Sequence, residues 1–216
     1  MSIKLQLALD GDLDSSLGLV QAVRPYIDIA EIGTPLVYRE GIVAAQRLRA
    51  AFLDLTLLAD FKIMDAGEDE AAIAFTAGCD LVTVLGVTQD VTLRGALRAA
   101  QRFGKQIMVD LMGVPDLPAR AQSLQAMGCH YLCVHLAHDL QVVNGGMSTE
   151  YLQPLRQQLP DAPLAIAGGI NLTNLEAVLL LNPAIIIVGS AIRTANDPVG
   201  VARAMHERIA SHEHSI

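Results

Sequence analysis

Positive charge is scarce in this chain. Lysine and arginine together number 15 against 23 aspartates and glutamates, leaving a formal net charge of −8. A nucleic-acid partner is excluded on that ground, because binding a phosphate backbone needs a basic surface. A phosphorylated metabolite is not excluded, since helix N-termini and a bound metal ion supply a local positive field. Cysteine is scarce too. Cys79, Cys129 and Cys133 form an odd, scattered set with no CxxC, so they make neither a disulfide framework nor a zinc site. That usage fits a reducing, cytoplasmic compartment. The N-terminus lacks the basic-then-apolar layout of a secretory signal. No apolar run approaches the ~20 residues of a membrane span. The longest, Ala177–Leu181 with Ala184–Val188, is interrupted by Asn182 and Pro183. No linker rich in proline, glycine or serine divides the chain, so one domain is expected, with 211–216 as a flexible tail.

What the chain has is apolar residue, 52% of it, laid out in a repeating pattern. Short β-branched runs recur at Ile3–Leu9, Ile27–Ile32, Leu55–Phe61, Leu81–Leu85, Gln106–Leu111, Tyr131–Leu136, Leu164–Ala167 and Ile185–Val188. Most are continuously apolar, which marks strands buried on both faces. Between them lie amphipathic stretches such as Gly41–Phe52 and Thr92–Phe103. Strand–helix alternation on this scale means a closed barrel or a long doubly wound sheet. No GxGxxG follows the first strand, so the expected fold is a single α/β domain of the (β/α)8 TIM-barrel type.

The strand ends carry the chemistry. The first run ends in Asp10, the second holds Glu31, and the third continues through Asp60 and Lys62 to Asp65. The fifth holds Asp110 and the sixth His135, with His138 three residues on. An acidic residue after an apolar run is ordinarily a helix cap. Five strands with ionisable groups at one end are not explained by capping, and carboxylates inside apolar runs need partners, a metal or a function. In a barrel these ends share the rim that hosts catalysis. Asp60 and Lys62 are two apart and so share one face of an extended strand. A lysine between carboxylates stays protonated and can deliver a proton or hold an anion; the bland alternative is a salt-bridged barrel end. His135 is a candidate acid/base, although a histidine in an apolar strand is also read as a satisfied core residue. His130 opens the same strand and is expected to be structural. Gly168, Gly169, Gly189 and Ser190 follow runs seven and eight, where their N–H groups can close on a phosphate. Arg193 could meet the same anion, but an arginine in a first helical turn is more often solvated.

Three stretches together, Leu5-Gln6-Leu7-Ala8-Leu9-Asp10, Glu31-Ile32-Gly33-Thr34-Pro35 and Ala59-Asp60-Phe61-Lys62-Ile63-Met64-Asp65-Ala66-Gly67, resemble the orotidine monophosphate decarboxylase superfamily. Within it the chain is most similar to the 3-hexulose-6-phosphate synthase family. Further matches at Val82–Val87, Val134-His135, Asp139–Gln141, Ala167–Asn171 and Val188–Ile192 extend the resemblance over nearly the whole chain.

The resemblance implies a homodimer of barrels with shared active sites, in which Asp65 reaches into the partner's site. It implies Glu31 and Asp60 as Mg2+ ligands. Asp10 and Lys62 would contact the substrate and each other, and His135 would transfer a proton. The implied reaction joins formaldehyde to D-ribulose 5-phosphate. The related 3-keto-L-gulonate-6-phosphate decarboxylases reach a similar enediolate and are the alternative; a catalytically dead sugar-phosphate sensor is a third reading. Asp110 and His138 stand where the decarboxylase pattern has glutamate and arginine, which favours the synthase. Leu136, Ala137 and the stretch 142–146 depart from the synthase pattern near the substrate and bear on which sugar is accepted.

Overall fold

A computed structural model describes residues 2–140 and 152–214. Among them, eight parallel strands close a barrel in sequence order: β1 (Lys4–Leu9), β2 (Ile29–Ile32), β3 (Thr56–Ile63), β4 (Leu81–Leu85), β5 (Gln106–Asp110), β6 (Tyr131–His135), β7 (Leu164–Ala167) and β8 (Ile185–Val188), with β8 pairing to β1. The expected (β/α)8 architecture is the one observed. Helices α1 (Leu13–Val23), α2 (Thr34–Glu40), α3 (Val43–Ala51), α4 (Gly67–Thr76), α5 (Asp90–Phe103), α6 (Leu117–Ala126), α7 (Leu152–Gln158), α8 (Leu175–Leu179), α9 (Ser190–Arg193) and α10 (Pro198–Glu213) lie between and after them. No described helix is long and apolar enough to cross a membrane.

The continuous apolar character of the runs follows from a period of two applied to two buried faces. One set of strand side chains packs outward under the helices. The other, including Ile29, Leu58, Leu81, Met108 and Cys133, fills the barrel axis. Acidic caps start several helices: Asp12 accepts from the Ser15 N–H at 2.9 Å, Asp116 from Ala119 at 3.1 Å and Asp197 from Gly200 at 2.8 Å. Asp12, not Asp10, caps the first helix, so capping does not account for Asp10.

At the N-terminal end of the barrel, alternate strands begin alike. A side chain at the start of the next strand accepts the first free backbone N–H: Asp28 for Leu5 at 2.8 Å, Asp80 for Leu57 at 2.9 Å and His130 Nδ1 for Ile107 at 3.3 Å. Burial holds the His130 imidazole below its ordinary pKa, which keeps it neutral and able to accept. The structural role expected of His130 is therefore the one observed. Two arginines lock the loops below. Arg49 donates to the carbonyls of Phe52, Leu53, Leu55 and Gly78, and Arg156 to those of Leu159, Pro160, Ala162, Leu181 and Asn182.

Two expectations are corrected. Strand β3 is not a plain pleat through Lys62: its register against β4 shifts between Ala59 and Ile63, and Lys62 is left-handed at φ 49°. The residues from Ser211 to Glu213 are not a frayed tail. They form the last turn of α10, whose Glu213 carboxylate accepts the Ile3 N–H and ties the helix to the first strand.

Candidate active site

The inner wall of the barrel changes character one step up each of five strands. Ile29 is followed two residues later by Glu31, Leu58 by Asp60, Leu81 by Thr83, Met108 by Asp110 and Cys133 by His135. The side-chain period carries each second residue to the same inner face, one layer nearer the C-terminal rim. An apolar plug thus supports a polar layer made from five different strands.

Within that layer Lys62 and Asp60 form an ion pair. The Lys62 ammonium also donates to Thr34 Oγ1 at 3.1 Å. The Thr34 hydroxyl lies 2.7 Å from Asp60 Oδ2, and the Thr83 hydroxyl 2.8 Å from Asp60 Oδ1. Below them the Gln6 amide donates to Glu31 at 2.5 Å. Across the barrel His135 Nδ1 meets Asp110 Oδ2 at 2.9 Å, while Asp110 Oδ1 accepts the Met112 N–H at 2.9 Å. An ionised carboxylate only accepts, so Nδ1 carries the proton and Nε2 is the nitrogen left to exchange one.

Electrostatics follow from burial and neighbours. Burial, and then the charge of Asp60, push the Glu31 carboxyl up to about 8, against the opposing pull of Gln6 and Lys62. Burial would also raise Asp60, but the charge and hydrogen bond of Lys62, with Thr34 and Thr83, hold it below the ordinary carboxylate range. For Lys62, burial opposes the charge; Asp60, Asp110 and Glu31 outweigh it and raise the ammonium above its usual value. Burial likewise opposes a charged His135, yet the hydrogen bond and charge of Asp110 leave its pKa raised.

A divalent cation suits this donor set. Glu31 and Asp60 offer hard oxygens near enough for one charge to raise the other's pKa, and the buried Gln6 Oε1 lacks a hydrogen-bond partner. Among the described residues no group of three or more acidic, histidine or cysteine side chains is placed to hold a metal ion, so an ion at this pair would take its remaining ligands from water and substrate.

Asp10 stands at the rim, packed so closely on Gly33 that a Cβ there would collide with its carboxylate. Its expected contact with Lys62 is corrected. The Lys62 amine is drawn to Asp60 on its own bulged strand, and Asp10 instead meets Arg193 Nη2 at 3.3 Å. Arg39 Nη1 donates to the Asp10 carbonyl at 2.6 Å. Arg193 is thus not simply solvated.

Gly168 and Gly169 have φ of 113° and 70°, and a Cβ on Gly168 would sit 2.5 Å from the Leu136 carbonyl oxygen. Packing alone therefore demands glycine at 168. Gly189 has φ −110° and only ordinary contacts for an added Cβ, and Ser190 opens the short helix α9. Asp65 is exposed and accepts the neighbouring Ala66 N–H at 2.7 Å, outside the buried cluster. His138 is also exposed. Gln141 and the stretch 142–146 lie outside the described residues.

Four participants were not singled out as candidates: Gln6, Thr34, Thr83 and, as a partner of Asp10, Arg193. Gln6 and Thr83 did leave a trace, each being a polar residue inside an otherwise apolar run.

Comparison with known proteins agrees with the fold. Residues 3–205 match the model of the orotidine 5'-phosphate decarboxylase / HUMPS family. A 3-hexulose-6-phosphate synthase of Bacillus subtilis is 43% identical over 208 residues, covering 96% of this chain and 99% of that protein. The crystal structure of 3-hexulose-6-phosphate synthase from Salmonella typhimurium superposes with a TM-score of 0.93 at 40% identity, covering 97% of this chain and 100% of that one. A 3-keto-L-gulonate-6-phosphate decarboxylase structure from Vibrio cholerae gives a TM-score of 0.88 at 26% identity, covering 98% and 99%. With its barrel topology, its polar layer and these matches along nearly all its length, the chain belongs to the orotidine 5'-phosphate decarboxylase / HUMPS family.

Proposed function

We propose that this protein is a carbon–carbon lyase that joins formaldehyde to D-ribulose 5-phosphate, giving D-arabino-3-hexulose 6-phosphate. The observation that carries the reading is one polar layer holding a carboxylate pair, an ammonium and a carboxylate-held imidazole. The 43% identity to a 3-hexulose-6-phosphate synthase supports the choice of reaction.

His135 Nε2 takes a proton from C1 of the keto sugar, and the C–H electron pair moves into the C1–C2 bond as the C2 oxygen gains charge. The Lys62 ammonium, held by Asp60 and Thr34, lies ready to offset that charge. C1 then attacks the formaldehyde carbon. The C1–C2 π pair makes the new C–C bond as the C2 carbonyl re-forms, the formaldehyde π pair moves to its oxygen, and that oxygen takes the proton from the His135 imidazolium. Glu31 and Asp60 would hold Mg2+, which when bound supplies Lewis-acid charge at the same oxygens. Asp10, placed by Arg193 and Gly33, would orient the sugar hydroxyls, with Asp110 and His138 as further contacts. Backbone N–H groups of Gly168, Gly169, Gly189 and Ser190 would bind the phosphate.

The same reading includes a homodimer with Mg2+ and substrate in sites shared between subunits. Its support is a groove lined by the apolar Val37, Tyr38, Phe61 and Ile73 together with Thr34, Asp60 and Glu70, with Tyr38 85% and Ile73 53% exposed. Asp65 stands on the adjacent exposed segment, where a partner's site could receive it.

The deciding experiment measures formaldehyde consumption with ribulose 5-phosphate and Mg2+ beside CO2 release from 3-keto-L-gulonate 6-phosphate. Fast formaldehyde loss with slow CO2 release supports the synthase; the reverse supports the decarboxylase that the Vibrio cholerae structure suggests. Activity that survives EDTA would refute the metal assignment. Mixed Lys62→Ala and Asp65→Ala proteins should recover activity after subunit exchange, and no recovery would refute sharing.

A further inference from the structure

Strand β3 departs from the pleat where two key side chains sit. Its pairing with β4 steps from Ala59 opposite Val82 to Ile63 opposite Val84, so β3 advances four residues while β4 advances two. Lys62 takes up the excess in the left-handed region at φ 49°, a conformation that a side chain with a Cβ tolerates only when its surroundings enforce it. The Lys62 N–H turns out of the regular ladder and donates to the Thr83 hydroxyl oxygen at 2.8 Å.

That bond dictates the next one. A threonine hydroxyl has one proton. With the oxygen receiving the Lys62 N–H, its own proton is directed to Asp60 Oδ1, 2.8 Å away. Asp60 Oδ2 is held from the other side by Thr34 and Lys62. Donors on both oxygens restrain the carboxylate from turning, and Thr83 supplies the one on Oδ1. Thr83 is only 4% exposed. A β-branched side chain is also stiff at χ1, which keeps the hydroxyl aimed.

We propose that Thr83 is a positioning residue: its hydroxyl joins the backbone of Lys62 to the carboxylate of Asp60, and divalent-cation affinity and turnover both depend on that link. The proposal rests on Glu31 and Asp60 being cation ligands and on no assigned role for Thr83 itself.

Thr83→Val and Thr83→Ser separate the hydroxyl from the packing. Valine keeps the shape and the branch but loses both hydrogen bonds; serine keeps the hydroxyl and loses a methyl. Calorimetric titration with Mn2+, steady-state kinetics and thermal melting are measured on the wild type and both variants. Expected is a Mn2+ affinity roughly 10–100-fold weaker in Thr83→Val, the range typical of lost outer-shell partners. Its kcat should fall more than its KM for sugar phosphate rises, and Thr83→Ser should stay within about 3-fold of wild type in every constant. Wild-type affinity and kcat in Thr83→Val would overturn the proposal. So would equal losses in both variants, or a lowered melting temperature in Thr83→Val with Mn2+ binding unchanged, since each points to packing alone. If the wild type itself binds no Mn2+, the cation reading fails. The cation half of the Thr83 proposal falls with it, and the turnover half is then decided by kcat: a fall in valine restored in serine supports it, and matching values overturn it.

Discussion

The two ends of the barrel use the same residue types to opposite effect. At the N-terminal end every carboxylate described above has its donors. Asp80 meets Lys105 at 2.6 Å, Arg49 at 2.5 Å and the Leu57 N–H at 2.9 Å, and Asp28 accepts the Leu5 N–H. Although burial raises Asp80, those donors hold it below the ordinary range. At the C-terminal end Glu31, Asp60 and Asp110 crowd one layer with Lys62 and His135, and Glu31 is pushed up to about 8. Satisfied charges hold strands and loops together. At the C-terminal end Asp60 is held low in the same way by Lys62, Thr34 and Thr83, and the group in conflict is Glu31, whose burial and Asp60 neighbour oppose its charge, so that a cation or a proton can relieve it.

Single substitutions can break that comparison. The largest effect is expected at Lys62. Lys62→Ala should lower turnover about 10²–10³-fold, the loss typical of removing one oxyanion donor, with circular dichroism unchanged. Near-normal turnover would remove Lys62 from the chemistry. Asp80→Ala is its mirror image. It should cost about 2–4 kcal/mol in urea unfolding, because Arg49, Lys105 and the Leu57 N–H lose a charged partner, while kcat of the folded protein holds. A drop in kcat with no loss of stability would erase the distinction between the ends. Gly168→Ala should destabilise by about 1–3 kcal/mol through its positive φ and the nearby Leu136 carbonyl. By contrast Gly189→Ala should leave stability within about 0.5 kcal/mol and raise KM for the sugar phosphate. An unchanged KM would exclude residue 189 from phosphate binding.

The subtlest test is pH dependence. Asp110 raises the His135 pKa by favouring the imidazolium. A base must be neutral, so the acid limb of the activity profile should lie above the ordinary histidine value of about 6.5. Asp110→Asn should move that limb to lower pH as well as lowering kcat; a limb that stays put would detach it from His135. The stability sign is the reverse. The pair's contribution is complete below the unfolded-state pKa and is lost as pH rises through the raised folded value.

The fold was legible because eight continuously apolar runs leave little freedom: strands buried on both faces need helices on one side and a plugged axis on the other. The runs of β4, β7 and β8 coincide with the observed strands residue for residue. Much of the site was legible too. Glu31 and Asp110 are charges inside apolar runs, a cost that sequence shows without coordinates. Less legible were Thr34 and Thr83, whose roles depend on hydrogen bonds across 26 and 23 positions of chain. Arg193 reaches Asp10 over a separation of 183, which only barrel closure creates. The end of α10 was misread because Ser211 to Glu213 are polar; a contact with the Ile3 N–H ends the fraying.

Sequence alone determined the number and order of strands, the rim on which ionisable groups gather and the family. These depend on local periodicity and on residue type. Tertiary structure decided which acid faces which base. It turned Lys62 toward Asp60 rather than Asp10, left Asp65 outside its own cluster and gave Thr83 its two partners. Those outcomes depend on a register shift between two strands and on the closure of β8 against β1, and neither has a signature within one segment of chain.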